Sequence, residues 1–296
     1  MIQLFQQRDF GNKINATFQY IFQNFRSLGL SLLYIVGPVA LVAGIASGVM
    51  QSNMLKLIGE SANANTDNPF YAFQMLGFFS SPSFWLTALF SLLANVAVIL
   101  TTYAHMKVYD RTKEELISVS DVWIEMQPVI GRAVLISILN SIIISFGFIF
   151  FFIPGLYLAV VLSLSLAVTV FENADFGVTW NRCFQLIRDK WWSTFGLLCI
   201  MFLIVIIIGM VFAIPTTVIA FLTGAKILPD ISVVWLMLGS VVNQVGRTLL
   251  NVVIYTAIGF QYTNLVERQE GRGMLSAIDS IGSTPSQPRD TDEGSY

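Results

Sequence analysis

The sequence contains little charge. Only 11% of its 296 residues are charged, and 55% are hydrophobic, whereas a soluble domain usually carries about 25% charged residues. A soluble fold of this composition could not cover its surface with polar groups, which excludes an ordinary globular domain. The formal net charge of −2 gives no bulk positive field, so we expect no nucleic-acid partner.

Histidine and cysteine are also scarce. His105 is the single histidine, which excludes a multi-histidine metal site, and no serine or carboxylate arrangement accompanies it. We interpret it as a histidine at a membrane interface. Cys183 and Cys199 lie in apolar surroundings, which predicts buried, reduced thiols. Because no Gly-rich phosphate loop or Cys/His cluster is present either, we expect no cofactor and no enzymatic activity.

Long apolar runs are abundant. A membrane helix needs about 20 apolar residues, and the first run starts late enough to favour a retained span over a signal peptide. The sequence predicts an all-α integral membrane protein: a segment at 1–27, a six-span membrane domain at 28–265, and a largely disordered tail at 266–296. The predicted spans are Leu28–Met50, Ser83–Met106, Arg132–Ile153, Leu156–Phe171, and one each within Trp191–Leu222 and Ile231–Asn264.

Amphipathic segments precede three pairs of spans. In the first segment, apolar residues recur at i, i+4, i+7, i+8 and i+11, which is typical of one helical stripe. We predict helices that lie on the membrane surface, with packing onto neighbouring protein as the alternative. The stripes are Ile14, Phe18, Ile21, Phe22 and Phe25; then, more weakly, Val119, Val122, Trp123 and Met126; then Phe176, Trp180, Cys183, Phe184 and Ile187.

This unit of one surface helix and two spans recurs over residues 10–106, 115–172 and 175–264. The recurrence predicts three repeats of an amphipathic surface helix plus a helical hairpin. We hold duplication of an ancestral unit as a hypothesis, because the segments agree in pattern more than in identity.

The basic residues predict the orientation. All but three of the 16 Lys and Arg residues lie in the N-terminal segment, the tail or the loops on the same side, the exceptions being Lys56, Lys226 and Arg247. Loops rich in Lys and Arg stay on the cytoplasmic side. We therefore expect both termini in the cytoplasm.

Three stretches carry a family resemblance. They are Ile153-Pro154-Gly155-Leu156-Tyr157-Leu158 with Phe171-Glu172, Arg182 with Leu186 to Gly196, and Phe260 to Gly271. They resemble the bacterial membrane-domain family named after glycerophosphoryl diester phosphodiesterase, including members from Bacteroidetes-type bacteria. The resemblance covers most of the chain and implies the bacterial inner membrane. In fused members the phosphodiesterase chemistry belongs to a separate soluble barrel, which needs about 250 residues. The resemblance here is to the membrane part alone, so it implies no enzymatic activity.

Two groups of polar residues are candidate sites. Glu172 ends the fourth span, where it could contact an ion or proton, pair with Arg182 or Arg188, or simply face water at a helix end. Arg247 lies within the sixth apolar run, and an intramembrane arginine is a functional candidate. It could line a polar cavity with the asparagines of this and other spans, or extend to the outer interface. Those asparagines are Asn95, Asn140, Asn243 and Asn251.

The sequence leaves two functions open. The leading hypothesis is a non-enzymatic scaffold, regulator or partner subunit that binds membrane lipids or another membrane protein, because surface helices are predicted and catalytic groups are missing. The alternative is a transporter or lipid-handling protein with a polar site around Arg247, which the prolines within the apolar runs support weakly. These prolines are Pro38, Pro154 and Pro215.

Overall fold

The structure is a computed structural model that describes residues 2–62, 79–112, 117–225, 233–273 and 275. The described part is all-helical. Its helices are α1 (Phe10–Gln23), α2 (Phe25–Ser31), α3 (Gly37–Ala62), α4 (Pro82–Thr112), α5 (Val119–Met126), α6 (Ile130–Phe150), α7 (Phe152–Leu162), α8 (Ser165–Glu172), α9 (Phe176–Ile187), α10 (Trp191–Gly224), α11 (Val233–Leu250) and α12 (Val252–Glu270).

Six stretches of helix are long and apolar enough to cross a membrane, which confirms the number of apolar spans predicted from the sequence. They are Phe25–Met54, Pro82–Thr112, Val119–Phe150, Phe152–Glu172, Trp191–Leu222 and Val234–Glu270. Four of these stretches are assembled from shorter helices that follow one another with little or no gap.

The prolines explain some of the interruptions. A proline lacks an N–H and crowds the carbonyl four residues earlier, and a wider π-helical turn at Leu32–Val36 comes just before Pro38. Pro154 lies in the first turn of α7, where an N–H would have no intrahelical acceptor anyway. Pro215 lies inside α10.

Two predicted boundaries need correction. We expected the third span to end at Ile153 and a Pro-Gly break to follow, but α6 ends at Phe150, and the extended residue Phe151 makes the turn. We expected the long sixth run to tilt or to begin with a separate short helix. Instead, Asn251 alone separates α11 from α12.

The predicted tail also begins inside a helix, because α12 continues to Glu270. Residues 274 and 276–296, to which the prediction of disorder mainly applies, lie outside the described residues.

Two helices approach each other closely through glycines. A Cβ atom at Gly44 of α3 would lie 2.8 Å from the Cα atom of Val241 in α11, and one at Gly48 would lie 2.7 Å from that of Met237. These glycines are four residues apart, the spacing that lets two apolar helices pack backbone against backbone. Helices α4 and α10 pack on either side, against α3 and α11 respectively.

The short helices α1, α5 and α9 gather at one end of the bundle, which we call the α1 end. Helix α1 buries Lys13, Ala16, Thr17 and Tyr20, and this face differs from the predicted stripe. Phe22, in that stripe, is 73% exposed. Three other residues of that stripe, Ile14, Phe18 and Ile21, are half-buried and pack against the core, so the stripe faces partly the protein and partly outward.

His105 is a buried residue within this end of the bundle. Its Nδ1 lies 2.7 Å from the hydroxyl of Tyr20, and its Nε2 lies 3.0 Å from the hydroxyl of Ser27. Both ring nitrogens thus have a partner, and the histidine joins α4 to α1 and α2. Our interpretation of His105 as an interfacial histidine is replaced by that of a core residue that holds the N-terminal helices in place.

Candidate ligand-binding cavity

A cavity of about 780 Å³ lies among α4, α6, α7, α8, α10 and α12. Its volume is in the range typical of small-molecule sites. Most of its lining is aliphatic or aromatic, and none of the lining residues is Asp, Glu, Lys, Arg or His. The polar side chains in the lining are Asn95, Tyr103, Ser137, Asn140, Ser141, Ser163, Ser165, Asn251 and Tyr255.

Asn140 contributes a buried polar atom that has no hydrogen-bond partner. It comes from the middle of α6 and is 8% exposed. Its Nδ2 donates to the hydroxyl of Ser165 at 2.7 Å, and its Oδ1 is buried without a partner. An unpaired buried carbonyl costs about 1–3 kcal/mol. A ligand with an O–H or N–H donor in the cavity would remove that cost.

The lining contains a second polar group. Asn95 of α4 accepts a hydrogen bond from the hydroxyl of Tyr255 at 2.6 Å and a longer one from Nδ2 of Asn251 at 3.5 Å. Asn251 is the residue that separates α11 from α12. Three of the asparagines selected from the sequence therefore line the same cavity: Asn95, Asn140 and Asn251.

The break between α7 and α8 shapes one wall of the cavity. Ser163 and Leu164 interrupt the helix, and the hydroxyl of Ser163 donates to the carbonyl of Val160 at 2.7 Å. A side-chain donor of this kind satisfies a carbonyl that a continuous helix would have paired with its own backbone. The interruption therefore leaves the carbonyl of Val160 paired beside an apolar space.

The cavity is open on one side of the bundle. Cys199 and Phe202 of α10 line it, and both are exposed at the surface. Our prediction of two buried thiols is thus correct for Cys183 and wrong for Cys199. The cysteine spacing could not distinguish the two because it says nothing about which face of α10 is covered.

Arg247 does not line this cavity. It lies exposed on α11, and its side chain passes beside Gly209 of α10, at which an added Cβ would lie 3.7 Å from Nε. Asn243, one turn earlier, has a buried Oδ1 without a partner but is also outside the cavity lining. The structure therefore separates Arg247 and Asn243 from the cavity that the other three asparagines line.

Glu172 belongs to an ionic cluster at the α1 end. Both of its carboxylate oxygens accept from Nε of Arg182, at 3.0 and 3.1 Å, and one of them accepts from the hydroxyl of Tyr262 at 2.8 Å. Arg182 also pairs with Glu270. Burial disfavours the guanidinium charge, but the hydrogen bonds to Glu270 and Glu172 outweigh it and raise the pKa of Arg182. Arg188 is exposed and outside this cluster.

The cluster joins α8, α9 and α12, which supports the interpretation of Glu172 as the partner of an arginine. The sequence left Arg182 and Arg188 open as partners of Glu172, and the structure selects Arg182.

Lys13 of α1 is a buried charge at the α1 end. It is 4% exposed, and its Nζ donates to Oε1 of Gln261 at 2.7 Å and to the hydroxyl of Ser193 at 3.2 Å. Burial, followed by the nearby charges of Arg268 and Lys190, lowers the pKa of Lys13. The small residues at positions 16 and 17, beside Lys13, were the available signal for this buried face.

Comparisons with known proteins identify no relative. No protein-family model matches the chain, and neither does any curated protein or solved structure. The resemblance to the membrane-domain family stays a prediction.

Proposed function

We propose that this chain is a multi-pass protein of the bacterial inner membrane that binds an amphipathic, lipid-like molecule in the cavity around Asn140. The observation that carries the proposal is the unpaired, buried Oδ1 of Asn140 in a space lined mainly by apolar side chains. Such a site suits a molecule with a hydroxyl or amide donor and a hydrocarbon chain, because both parts then find a matching environment.

The membrane placement is supported by the six apolar stretches and by the distribution of charge. The α1 end carries most of the basic residues, among them Arg132, Arg182 and Lys190. The positive-inside bias therefore favours the cytoplasm for this end and for both termini. Arg247 lies 20 residues before Glu267, or about 30 Å along the helix. That height favours the outer interface, where an arginine can extend to water.

The proposal assigns no enzymatic activity to the cavity. Its lining has no carboxylate, amine, guanidinium or imidazole group, and these are the usual side chains for acid–base catalysis. The chemistry available there is hydrogen bonding and apolar contact, which supports binding or handling of a lipid.

A second candidate function, as a scaffold or partner subunit, is supported by a different surface. Large apolar side chains are exposed around the α1 end: Phe22, Phe25, Trp123, Ile124 and Trp192. They suit contact with lipid headgroups or with another membrane protein. The order of one short helix followed by two long stretches also recurs three times, which supports the proposed repeat.

Ligand binding can be tested with purified protein in mild detergent. The readouts are mass spectrometry of co-purified lipids and the fluorescence of an NBD-labelled monoacylglycerol, whose hydroxyls can donate. Asn140→Leu removes the acceptor and should weaken binding roughly 2- to 10-fold, the equivalent of one hydrogen bond. Ser137→Phe fills the cavity and should abolish binding.

The matched control is Ile138→Phe, which places the same side chain on the exposed face of α6 and should leave binding unchanged. Equal binding by the three variants and the wild-type protein would exclude this cavity as the site. Recovery of a stoichiometric protein partner with no retained lipid would instead favour the scaffold.

A further inference from the structure

Contacts between α8, α10 and α12 show which of their residues lie at the same height along the bundle axis, at the α1 end. The hydroxyl of Tyr262 in α12 reaches Glu172, the last residue of α8. The neighbouring Gln261 donates to Thr194, in the first turn of α10, at 2.8 Å. The end of α8 and the beginning of α10 therefore lie at the same height.

Tyr157 of α7 also lies near the height at which α10 begins. The indole N–H of Trp191, the first residue of α10, donates to the carbonyl of Tyr157 at 3.4 Å. The two rings stack with centroids 6.0 Å apart, and Tyr157 also lies 6.3 Å from the ring of Phe184 in the surface helix α9. In a straight helix, Tyr157 would stand about 22 Å above Glu172. Because Tyr157 contacts Trp191 instead, the stretch from α7 to α8 must either bend at Ser163–Leu164 or lie strongly inclined to the bundle axis.

The hairpin of α6 and α7 consequently reaches a shallow depth. Phe151, at its tip, is six residues beyond Tyr157, which adds at most about 9 Å of helical rise. The tryptophan side chain adds several ångströms more. The sum is close to half of a hydrocarbon core of about 30 Å. The other arm starts at the α1 end, where Arg132 contacts Asn173, and its unbroken helix extends about 27 Å from Arg132 to Phe150, so a tip at this depth requires α6 to be strongly inclined to the bundle axis. By contrast, the 34 residues of α10 extend over about 51 Å.

The tip itself is suited to hydrocarbon. No Asp, Glu, Lys, Arg or His occurs between Arg132 and Glu172. Backbone hydrogen bonds continue across the turn, from the N–H of Phe151 to the carbonyl of Gly147 and from the N–H of Gly155 to the carbonyl of Phe151, as a turn within lipid requires. The exposed apolar side chains of the tip are Phe146, Phe148, Ile149, Phe150, Phe151, Phe152 and Ile153.

We infer that the α6–α7 hairpin is re-entrant: it enters the acyl chains of the leaflet on the α1 side and returns, so that four helical stretches cross the membrane and two do not. Its aromatic tip is a surface that contacts the lipid of one leaflet. The inference rests on the membrane placement proposed above. Both termini stay on the same side with four or six crossings, so charge distribution could not reveal the difference.

Single cysteines in the full chain, in a background of Cys183→Ser and Cys199→Ser, test this inference. Asn15→Cys on α1 and Ser80→Cys before α4 place thiols at exposed positions on opposite sides, and Phe151→Cys places one at the hairpin tip. A membrane-impermeant maleimide applied to sealed vesicles of each orientation should label the first two from opposite sides. It should label Phe151→Cys from neither side, although every variant should label after denaturation.

Labelling of Phe151→Cys from the same side as Ser80→Cys would overturn the re-entrant hairpin and leave the membrane placement intact. Labelling of Asn15→Cys and Ser80→Cys from one common side would instead overturn the proposed topology.

A nitroxide at position 151 gives an independent measurement of depth. Collisions with oxygen and with a water-soluble nickel chelate should place the nitroxide about 10–20 Å below the α1-side surface, within the hydrocarbon core. A depth near the opposite phosphates would exclude the inference even if labelling failed for steric reasons.

Discussion

The close approach of α3 and α11 gives the sharpest test of the packing. In Gly44→Ala, the new Cβ would lie 2.8 Å from the Cα atom of Val241, and in Gly48→Ala it would lie 2.7 Å from that of Met237. Carbon atoms prefer about 3.5–4.0 Å, so the helices must separate by about 1 Å or bend. Gly29→Ala is the matched control in the same apolar stretch, because nothing lies within 4 Å of its added Cβ.

The substitutions at the close contact and the control substitution should change the free energy of unfolding in opposite directions. Overpacking in a tight core costs about 1–3 kcal/mol, so each of Gly44→Ala and Gly48→Ala should lower the free energy of unfolding by that amount. Alanine is the better helix former by about 0.5–1 kcal/mol, so Gly29→Ala should be neutral or stabilising. The double variant should cost less than the sum of the two, because one separation of the helices relieves both contacts.

Thermal unfolding in detergent, followed by tryptophan fluorescence, measures these differences. At about 2–4 °C per kcal/mol, each tight-contact variant should melt several degrees below the wild-type protein and below Gly29→Ala. If Gly44→Ala and Gly48→Ala melt at the temperature of Gly29→Ala or higher, the glycines do not set the distance between these helices.

Three further predictions concern charged and thiol groups. Arg182→Met should lower the stability by about 1–3 kcal/mol, between the values for exposed and buried ion pairs. Part of that loss should disappear if Glu172 is already glutamine, and the remainder belongs to the pairing of Arg182 with Glu270; a double-mutant cycle measures both parts. Burial raises the pKa of Cys183 to about 12, so at pH 8 a maleimide should spare Cys183 in the folded protein and label it after denaturation, and labelling of Cys183 in the folded protein would contradict its burial. The folded-state pKa of Lys13 is below the ordinary value of 10.5. Between those two pKa values the unfolded chain binds more protons than the folded protein, so the free energy of unfolding rises with pH across that window. Melting temperatures measured from pH 8 to 10 should show that rise in the wild-type protein, and the contribution of Lys13 should be missing in Lys13→Met.

The apolar stretches were predictable because one-dimensional hydropathy measures what a hydrocarbon environment requires. The Gly44–Gly48 spacing is a further signal, of close helix packing, in the same sequence. The turn at Phe151 was misplaced because a Pro-Gly pair usually marks a break, whereas in α7 the proline occupies the first helical turn, where it is tolerated.

The cavity was only partly predictable. Asn95, Asn140 and Asn251 stood out as polar groups in apolar runs, but their convergence depends on the bend at Ser163–Leu164 and on the rotation of each helix. Arg247 stood out more strongly for the same reason, yet tertiary packing turns it outward past Gly209. Residue type can identify such groups as candidates, but it does not show in which direction each helix turns them.

The partners of Lys13 have a consequence for biosynthesis. Lys13 belongs to the first helix, and its shortest hydrogen bond is to Gln261, 248 residues later. During translation, the ammonium group must stay hydrated until α12 has been made, so α1 cannot take its final position on a nascent chain that lacks this helix. Arrest of the ribosome before Gln261 should therefore leave α1 open to proteases, and completion of α12 should protect it.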